Sequence, residues 1–255
     1  MSSRLVGVSL KAHLSLSETV SWLRELRSQL TKPATPMFVC PPLPLLKFAV
    51  DTLAATDIQV GSQDVSPFGP GAHTGDVPAS MVADLGACYA EVGHAERRKE
   101  HGETDADVAL KVKRCIEVGL TPVICVGEES AMAGPEAARF TCAQLRRRAA
   151  YLPGGTSVVV AYEPEWAIGV TQAADPRGVC HVVAALRDVL DEHGTQATVL
   201  YGGSATEGVY AALCDAAHVA REMADGLFIG RAAFRVVRLR AIVDEVAERS
   251  VADAC

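Results

Sequence analysis

Residues 157–169 read SVVVAYEPEWAIG, an apolar β-branched run followed at once by a charged and aromatic stretch. The run predicts a buried strand over Ser157–Tyr162, and Pro164 does not continue regular structure. We therefore expect Glu163 at the carboxyl end of a strand, where apolar neighbours disfavour the carboxylate and raise its pKa. Such a glutamate is suited to accepting a proton. A solvated glutamate, or one paired with a lysine, is the plain alternative.

Seven further apolar runs of strand length recur along the chain. They are Leu5–Val8, Met37–Cys40, Ile58–Gly61, Tyr89–Val92, Val123–Val126, Ala197–Tyr201 and Gly226–Ile229. Segments with apolar residues at helical spacing lie between these runs. They are the segment after the capping-box pair Ser15 and Glu18, and residues 43–55, 105–118, 137–151, 177–193, 207–216 and 234–249.

This alternation of strands and helices without a long linker indicates a parallel sheet. Eight such units in 255 residues predict an α/β fold, a single (β/α)₈ barrel domain over residues 1–255. A doubly wound open sheet is the architectural alternative. It is disfavoured because no Gly-x-Gly-x-x-Gly pattern follows the first strand.

Composition restricts the partners and the compartment. The formal net charge of −7 makes general binding to nucleic acid unexpected, so any anion site must be local. The chain has no apolar stretch of membrane-spanning length, and we expect a cytoplasmic protein without a membrane partner. The eight cysteines form no Cys-x-x-Cys pair and have no histidine at ligand spacing, so we expect reduced structural thiols and no metal.

The longest loop-like segment, Ser66–Asp76, follows the third predicted strand and reads SPFGPGAHTGD. It is too long for a routine turn. A projecting loop of this kind can form a subunit contact, and a solvated surface loop is the equal alternative.

In a (β/α)₈ barrel the carboxyl ends of the strands converge on one face. The residues at these ends are Lys11, Gln63, His94, Glu96, Cys125, Glu163, Ser204 and Gly230–Arg231. The set includes a base, a ring nitrogen that can polarise an oxygen, and a cation. The glycine-bearing turns 201–204 and 226–231 follow the last two strands, where barrels often bind phosphate through backbone N–H groups.

His94 lies where a strand ends and charged helix formers begin. The positive end of a helix dipole disfavours protonation of such a histidine, which then donates a hydrogen bond from a neutral ring. For His94 alone, helix capping is as good an explanation as catalysis. The presence of Glu163 and Lys11 in the same set favours catalysis.

Over nearly its full length the chain resembles the triosephosphate isomerase family, whose fold is the TIM barrel. The matching stretches are Gly7–Lys11, Gly71–Asp76, Gly93–Arg98, His101–Asp105, Cys125–Glu128, Ala161–Gly169, Tyr201–Ser204 and Asp225–Gly230.

The resemblance implies an isomerase that needs no cofactor. Glu163 would move a proton between adjacent carbons, His94 would polarise the oxygens of an enediolate, and Lys11, paired with Glu96, would offset negative charge. The substrate phosphate would be held by the amides of Gly169, Ser204, Gly230 and Arg231. The resemblance also implies a closing lid over Pro164–Gln172 and a homodimer formed through the 66–76 loop.

Four departures from the family pattern lie in the expected site. Ser9 stands where the family has an asparagine near the substrate, and Ala95 where it has a serine. Val170–Gln172 replaces a glycine-bearing lid hinge, and Arg231 replaces the second glycine of the phosphate turn. The Ser9 and Gly230–Arg231 pattern resembles the tetrulose-phosphate branch of the family, which includes L-erythrulose-1-phosphate isomerases.

Three functions therefore stay open at the level of sequence. The first is isomerisation of a four-carbon ketose phosphate such as L-erythrulose 1-phosphate. The second is the glycolytic interconversion of glyceraldehyde 3-phosphate and dihydroxyacetone phosphate. The third is a barrel that binds a sugar phosphate without turnover, and the presence of both Glu163 and His94 argues against it.

Overall fold

The computed structural model describes residues 4–169 and 174–249. Its eight parallel strands close into one barrel in sequence order, each strand pairing with the next and β8 pairing with β1. The strands are β1 Leu5–Ser9, β2 Met37–Cys40, β3 Ile58–Ser62, β4 Tyr89–Val92, β5 Thr121–Val126, β6 Ser157–Tyr162, β7 Gln196–Tyr201 and β8 Gly226–Ile229. The predicted (β/α)₈ barrel is confirmed.

Nine α-helices surround the barrel within the described residues. They are α1 Leu16–Gln29, α2 Leu46–Leu53, α3 Ala79–Asp84, α4 Ala95–His101, α5 Asp105–Glu117, α6 Gly134–Arg148, α7 Pro176–Glu192, α8 Val209–Ala216 and α9 Val236–Glu248. The capping box of Ser15 and Glu18 starts α1 as predicted. The predicted helix 43–55 is divided instead, because a short 3₁₀ turn, Leu43–Leu45, precedes α2.

Two apolar layers hold the barrel together. Alternate residues of the strands point inward, and they form an interior cluster that consists of Leu5, Phe38, Cys40, Val123, Cys125, Val159, Ala161, Leu200 and Phe228. The remaining strand residues, such as Val6 and Val8, pack outward against helix residues that include Leu23 and Leu26 of α1. Because all eight strands are parallel, the closed barrel brings their carboxyl ends to one rim.

Part of the expected lid and one of the eight cysteines lie outside the described residues. Of the expected lid Pro164–Gln172, residues 170–172 lie outside the described residues, as does Cys255. The other seven cysteines are free thiols, five of them buried. No helix among the described residues is both long enough and apolar enough to cross a membrane.

Candidate active site

Glu163 follows the last residue of β6 and lies inside the rim. Its backbone N–H donates to the carbonyl of Val126 at 2.7 Å, which fixes the end of β6 against β5. Its side chain occupies the space left by Gly202, where a Cβ atom would lie 2.5 Å from the Glu163 Cγ. Burial raises the pKa of Glu163 to about 7, in the direction expected from sequence. The carboxylate is therefore poised to take up a proton near neutral pH.

His94 caps the N-terminus of α4. Its Nδ1 accepts a hydrogen bond from the Glu96 backbone N–H at 3.1 Å. Burial, together with the nearby Lys11 ammonium, lowers the pKa of His94 to about 3. The ring is therefore neutral, and because Nδ1 is the acceptor, this hydrogen bond assigns the proton to Nε2. The same side chain thus caps α4 through Nδ1 and has Nε2 within 3.7 Å of Glu163 Oε2.

Lys11 follows β1 in a left-handed conformation, with φ of 49°, which is unusual for a residue other than glycine. Its Nζ donates to Glu96 Oε1 at 2.9 Å, and its carbonyl accepts from Gln63 Nε2 at 3.0 Å. Burial alone would lower the pKa of Lys11, but the charges of Glu163, Glu96 and Glu91 outweigh it and raise the pKa. The ammonium is fixed and permanently charged near neutral pH.

A cavity of about 280 Å³ opens beside these groups. The site residues on its wall are Ser9, Lys11, Glu96, Glu163, Gly169, Ser204, Gly230 and Arg231. The Ser204 hydroxyl donates to the Ala167 carbonyl at 2.7 Å, and the Arg231 guanidinium donates to the Gly169 carbonyl. The structure thus gathers all four residues of the expected phosphate site around one opening.

A second cavity, of about 440 Å³, adjoins the first. Ser9, Lys11 and Glu96 line both cavities, and His94 and Glu91 line only this one. Cys125, another member of the predicted strand-end set, lies in the barrel interior, where burial raises its thiol pKa well above the usual value. Within the described residues no group of three or more His, Cys, Asp or Glu side chains could hold a metal ion.

Two residues of this region were not recognised from sequence. Arg148 of α6 is fully buried and donates to the carbonyls of Gly93 and Cys125, so it joins the ends of β4 and β5. Glu91 lies within β4 and is 2% exposed. An acidic residue inside an apolar strand was the available signal for Glu91. For Arg148 there was no comparable signal, because the run Arg146-Arg147-Arg148 does not reveal which arginine is buried.

Comparison with known proteins identifies the family of this barrel. A family model described as triosephosphate isomerase matches residues 4–246. The chain belongs to the triosephosphate isomerase family. The resemblance seen in the sequence motifs is confirmed, and the protein is an isomerase of this family.

Individual relatives in this family carry two different names. The chain is 39% identical to the triosephosphate isomerase of Thermus thermophilus, over 94% of this chain and 97% of the relative. It is 38% identical to the L-erythrulose-1-phosphate isomerase of Pectobacterium atrosepticum, over 96% of this chain and 97% of the relative. Overall identity therefore does not distinguish a three-carbon from a four-carbon substrate, and that distinction rests on the site residues.

Proposed function

We propose that this protein moves a carbonyl group between adjacent carbons of a small sugar phosphate through an enediolate. The observation that carries the proposal is the placement of a buried carboxyl with a pKa of about 7, Glu163, beside the neutral Nε2–H donor of His94. The Glu163 carboxylate removes a proton from the carbon next to the carbonyl, and the C–H electrons form the enediolate double bond as the carbonyl electrons move to oxygen.

His94 then completes the proton balance. Its Nε2–H protonates the former carbonyl oxygen, and Nε2 recovers a proton from the hydroxyl of the neighbouring carbon. Glu163 returns its proton to the former carbonyl carbon, so the carbonyl has moved by one position. The Lys11 ammonium, 2.9 Å from Glu96, stabilises the negative oxygen and the phosphate. The steps use only side chains of this chain and the substrate.

The phosphate is proposed to bind in the 280 Å³ cavity, at the turns that contain Gly169, Ser204, Gly230 and Arg231. The Arg231 guanidinium adds a cation that a glycine at that position would not supply. Gly169, Ser204, Gly230 and Arg231 together form the wall of this cavity on the side of β7 and β8. The opposite end of the substrate then points toward His94.

The substrate we favour is a four-carbon ketose phosphate, L-erythrulose 1-phosphate. Ser9 has a shorter side chain than the asparagine of the family motif, which leaves room beside Lys11, and Arg231 changes the phosphate turn. The relative from Pectobacterium atrosepticum, 38% identical, is named for this reaction, so the choice is compatible with the comparisons. The alternative, a glycolytic triosephosphate isomerase, is supported by the similar relationship to the Thermus thermophilus enzyme. A barrel that only binds sugar phosphate would have no need of a poised base.

We also propose a cytoplasmic homodimer that uses the 66–76 loop. Within this loop the Phe68 and His73 rings stack at 4.4 Å between centroids, and the Ser66 hydroxyl pairs with the Asp76 carboxylate at 2.7 Å. Phe68 is nonetheless 46% exposed, as an apolar side chain at a subunit contact would be in the isolated chain. The seven free cysteines suit a reducing compartment.

The deciding experiment measures kcat/KM of the purified protein on glyceraldehyde 3-phosphate and on L-erythrulose 1-phosphate, side by side. A preference for the tetrulose supports the proposed substrate. A preference for the triose assigns the protein to the glycolytic reaction. Absence of turnover on both, with retained binding of a sugar phosphate, would favour the non-catalytic barrel.

A further inference from the structure

Glu91 is an acidic side chain inside the wall of the barrel. Tyr89, two residues before it in β4, packs against the interior cluster, and residues two apart in a strand point to the same face. Glu91 therefore also points into the barrel, where it is 2% exposed. It lines the 440 Å³ cavity together with Ser9, Lys11 and His94. The isomerisation steps described above make no use of it.

The polar atoms of Glu91 and its neighbour Ser9 lack well-formed hydrogen bonds in the described part of the chain. Among the described residues, Glu91 Oε2 and Ser9 Oγ are buried and neither has a partner in full hydrogen-bond geometry, although the Ser9 hydroxyl lies close enough to the Glu91 carboxyl to offset part of the rise in its pKa. Native structures seldom leave buried polar atoms in this state, because the lost hydration is not replaced. A carboxyl and a hydroxyl that share one cavity wall are consistent with a ligand that supplies the missing partners.

The protonation state of Glu91 suits a neutral ligand group. Burial, with the nearby Glu163 carboxylate, raises the pKa of Glu91 to about 8. The side chain is therefore mainly a neutral carboxylic acid near pH 7, which can donate one hydrogen bond and accept others. An alcohol hydroxyl, which also donates and accepts, matches this group better than a cation or an anion does.

The two cavities place such a ligand group along the substrate. The phosphate turns and Glu163 line the smaller cavity, His94 and Glu91 line the larger one, and Ser9 and Lys11 belong to both. A substrate with its phosphate in the smaller cavity and its reacting carbons between Glu163 and His94 directs its far end toward Glu91. L-erythrulose 1-phosphate differs from dihydroxyacetone phosphate by one hydroxymethyl group at that far end.

We propose that Glu91 and Ser9 form a subsite for the terminal hydroxymethyl group of a four-carbon ketose phosphate. This inference rests on the proposed isomerase function and names the residues that set its chain length. A three-carbon substrate offers no hydroxyl group to Glu91 Oε2 and Ser9 Oγ. A site built to hydrogen-bond a hydroxyl group discriminates against an analogue that lacks it, for the same reason.

The test is a pair of matched variants at position 91. Glu91→Gln keeps a neutral side chain that donates and accepts hydrogen bonds, whereas Glu91→Met keeps the volume and removes the hydrogen bonds. We measure kcat/KM on L-erythrulose 1-phosphate and dihydroxyacetone phosphate. Glu91→Met should lower the tetrulose value by about tenfold or more and the triose value by less than about twofold. Glu91→Gln should keep the wild-type preference within about threefold. Equal losses on both substrates in Glu91→Met would overturn the subsite.

A binding measurement separates this inference from the proposed function. By calorimetry, the wild-type protein should bind L-erythritol 1-phosphate about tenfold more tightly than glycerol 3-phosphate, neither of which has a carbonyl to isomerise. Glu91→Met should abolish that difference, and Ser9→Ala, a second variant at a distant position in the sequence, should reduce it. An unchanged affinity ratio in either folded variant refutes the subsite. Failure of the wild-type protein to turn over L-erythrulose 1-phosphate refutes the proposed substrate, whatever the ratio.

Discussion

Nε2 of His94 lies 3.7 Å from Oε2 of Glu163, and the two side chains titrate in the reverse of their ordinary order. The pKa of the histidine is lowered to about 3 and that of the glutamate is raised to about 7, in both cases chiefly by burial. The pair therefore does not exist as an imidazolium and a carboxylate at neutral pH. It presents a neutral N–H donor and a basic carboxylate, which is the combination that proton transfer beside a carbonyl requires.

The first prediction concerns the dependence of activity on pH. Because the base must be deprotonated, kcat/KM should fall as pH falls through about 7, rather than through the range of an ordinary glutamate near 4.5. The substrate phosphate also titrates, at about pH 6, so the profile is fitted with both ionisations. An acid limb that the phosphate ionisation accounts for in full, with no second ionisation near pH 7, would show that Glu163 is not the titrating base.

The second prediction is the loss of that base. Glu163→Gln removes the proton acceptor and keeps the side-chain volume, so kcat should fall by about 10²- to 10⁴-fold. Affinity for inorganic phosphate should stay within about twofold, because the phosphate is held by other residues. Steady-state kinetics and calorimetry measure the two quantities. Retained turnover in Glu163→Gln would refute the assignment.

The geometry of a parallel barrel explains why much of this site could be predicted. Hydrophobic runs located all eight strands, and a closed parallel barrel necessarily gathers their carboxyl ends. The sequence therefore predicts Lys11, His94 and Glu163 on one rim. The contacts that tune them were not predictable in the same way. The bond from the Glu96 N–H to Nδ1 of His94, which assigns the ring proton, depends on the local geometry at the start of α4.

The third prediction tests the assigned tautomer. With Nδ1 accepting from the Glu96 N–H at 3.1 Å and a pKa lowered to about 3, His94 should stay neutral with its proton on Nε2 from about pH 5 to pH 9. Nitrogen-15 NMR of protein with labelled histidine distinguishes the two neutral tautomers and the cation. The exposed His218 is labelled in the same protein and serves as an internal reference for the spectra. A His94 ring that becomes cationic near pH 6.5 would contradict the proposed mechanism.

The fourth prediction concerns Arg231, whose guanidinium donates to the Gly169 carbonyl at the edge of the smaller cavity. Arg231→Gly should weaken binding of glycerol 3-phosphate by about three- to tenfold, because an exposed cation near a phosphate contributes modestly. Arg231→Lys should recover part of the loss, and raising the salt concentration should reduce the difference. Arg235→Gly, which removes an exposed arginine outside this cavity wall, is the matched control. Unchanged binding and kinetics in Arg231→Gly would leave this arginine without a role in the site.

The burial of Arg148 could not be predicted from the residues next to it in the sequence. Three consecutive arginines end α6, and their composition marks a solvated helix end. Successive helical residues point in directions about 100° apart, so only tertiary packing decides which of the three turns toward the barrel. Arg148 does so and is fully buried, whereas the side chain of Arg147 is 57% exposed. Both arginines pair with Asp105.

The fifth prediction compares these two arginines. Arg148→Met should lower the free energy of unfolding by about 1–3 kcal/mol, because it leaves the carbonyls of Gly93 and Cys125 without their buried donor, while Asp105 keeps its ion pair with Arg147. Arg147→Met removes a mostly exposed ion pair with the same Asp105 carboxylate and should cost about 0–1 kcal/mol. Urea unfolding at neutral pH measures both variants. Because Gly93 precedes His94, Arg148→Met should also lower kcat at temperatures where the variant is folded. Equal unfolding costs for the two variants would show that Arg148 does not hold the ends of β4 and β5 together.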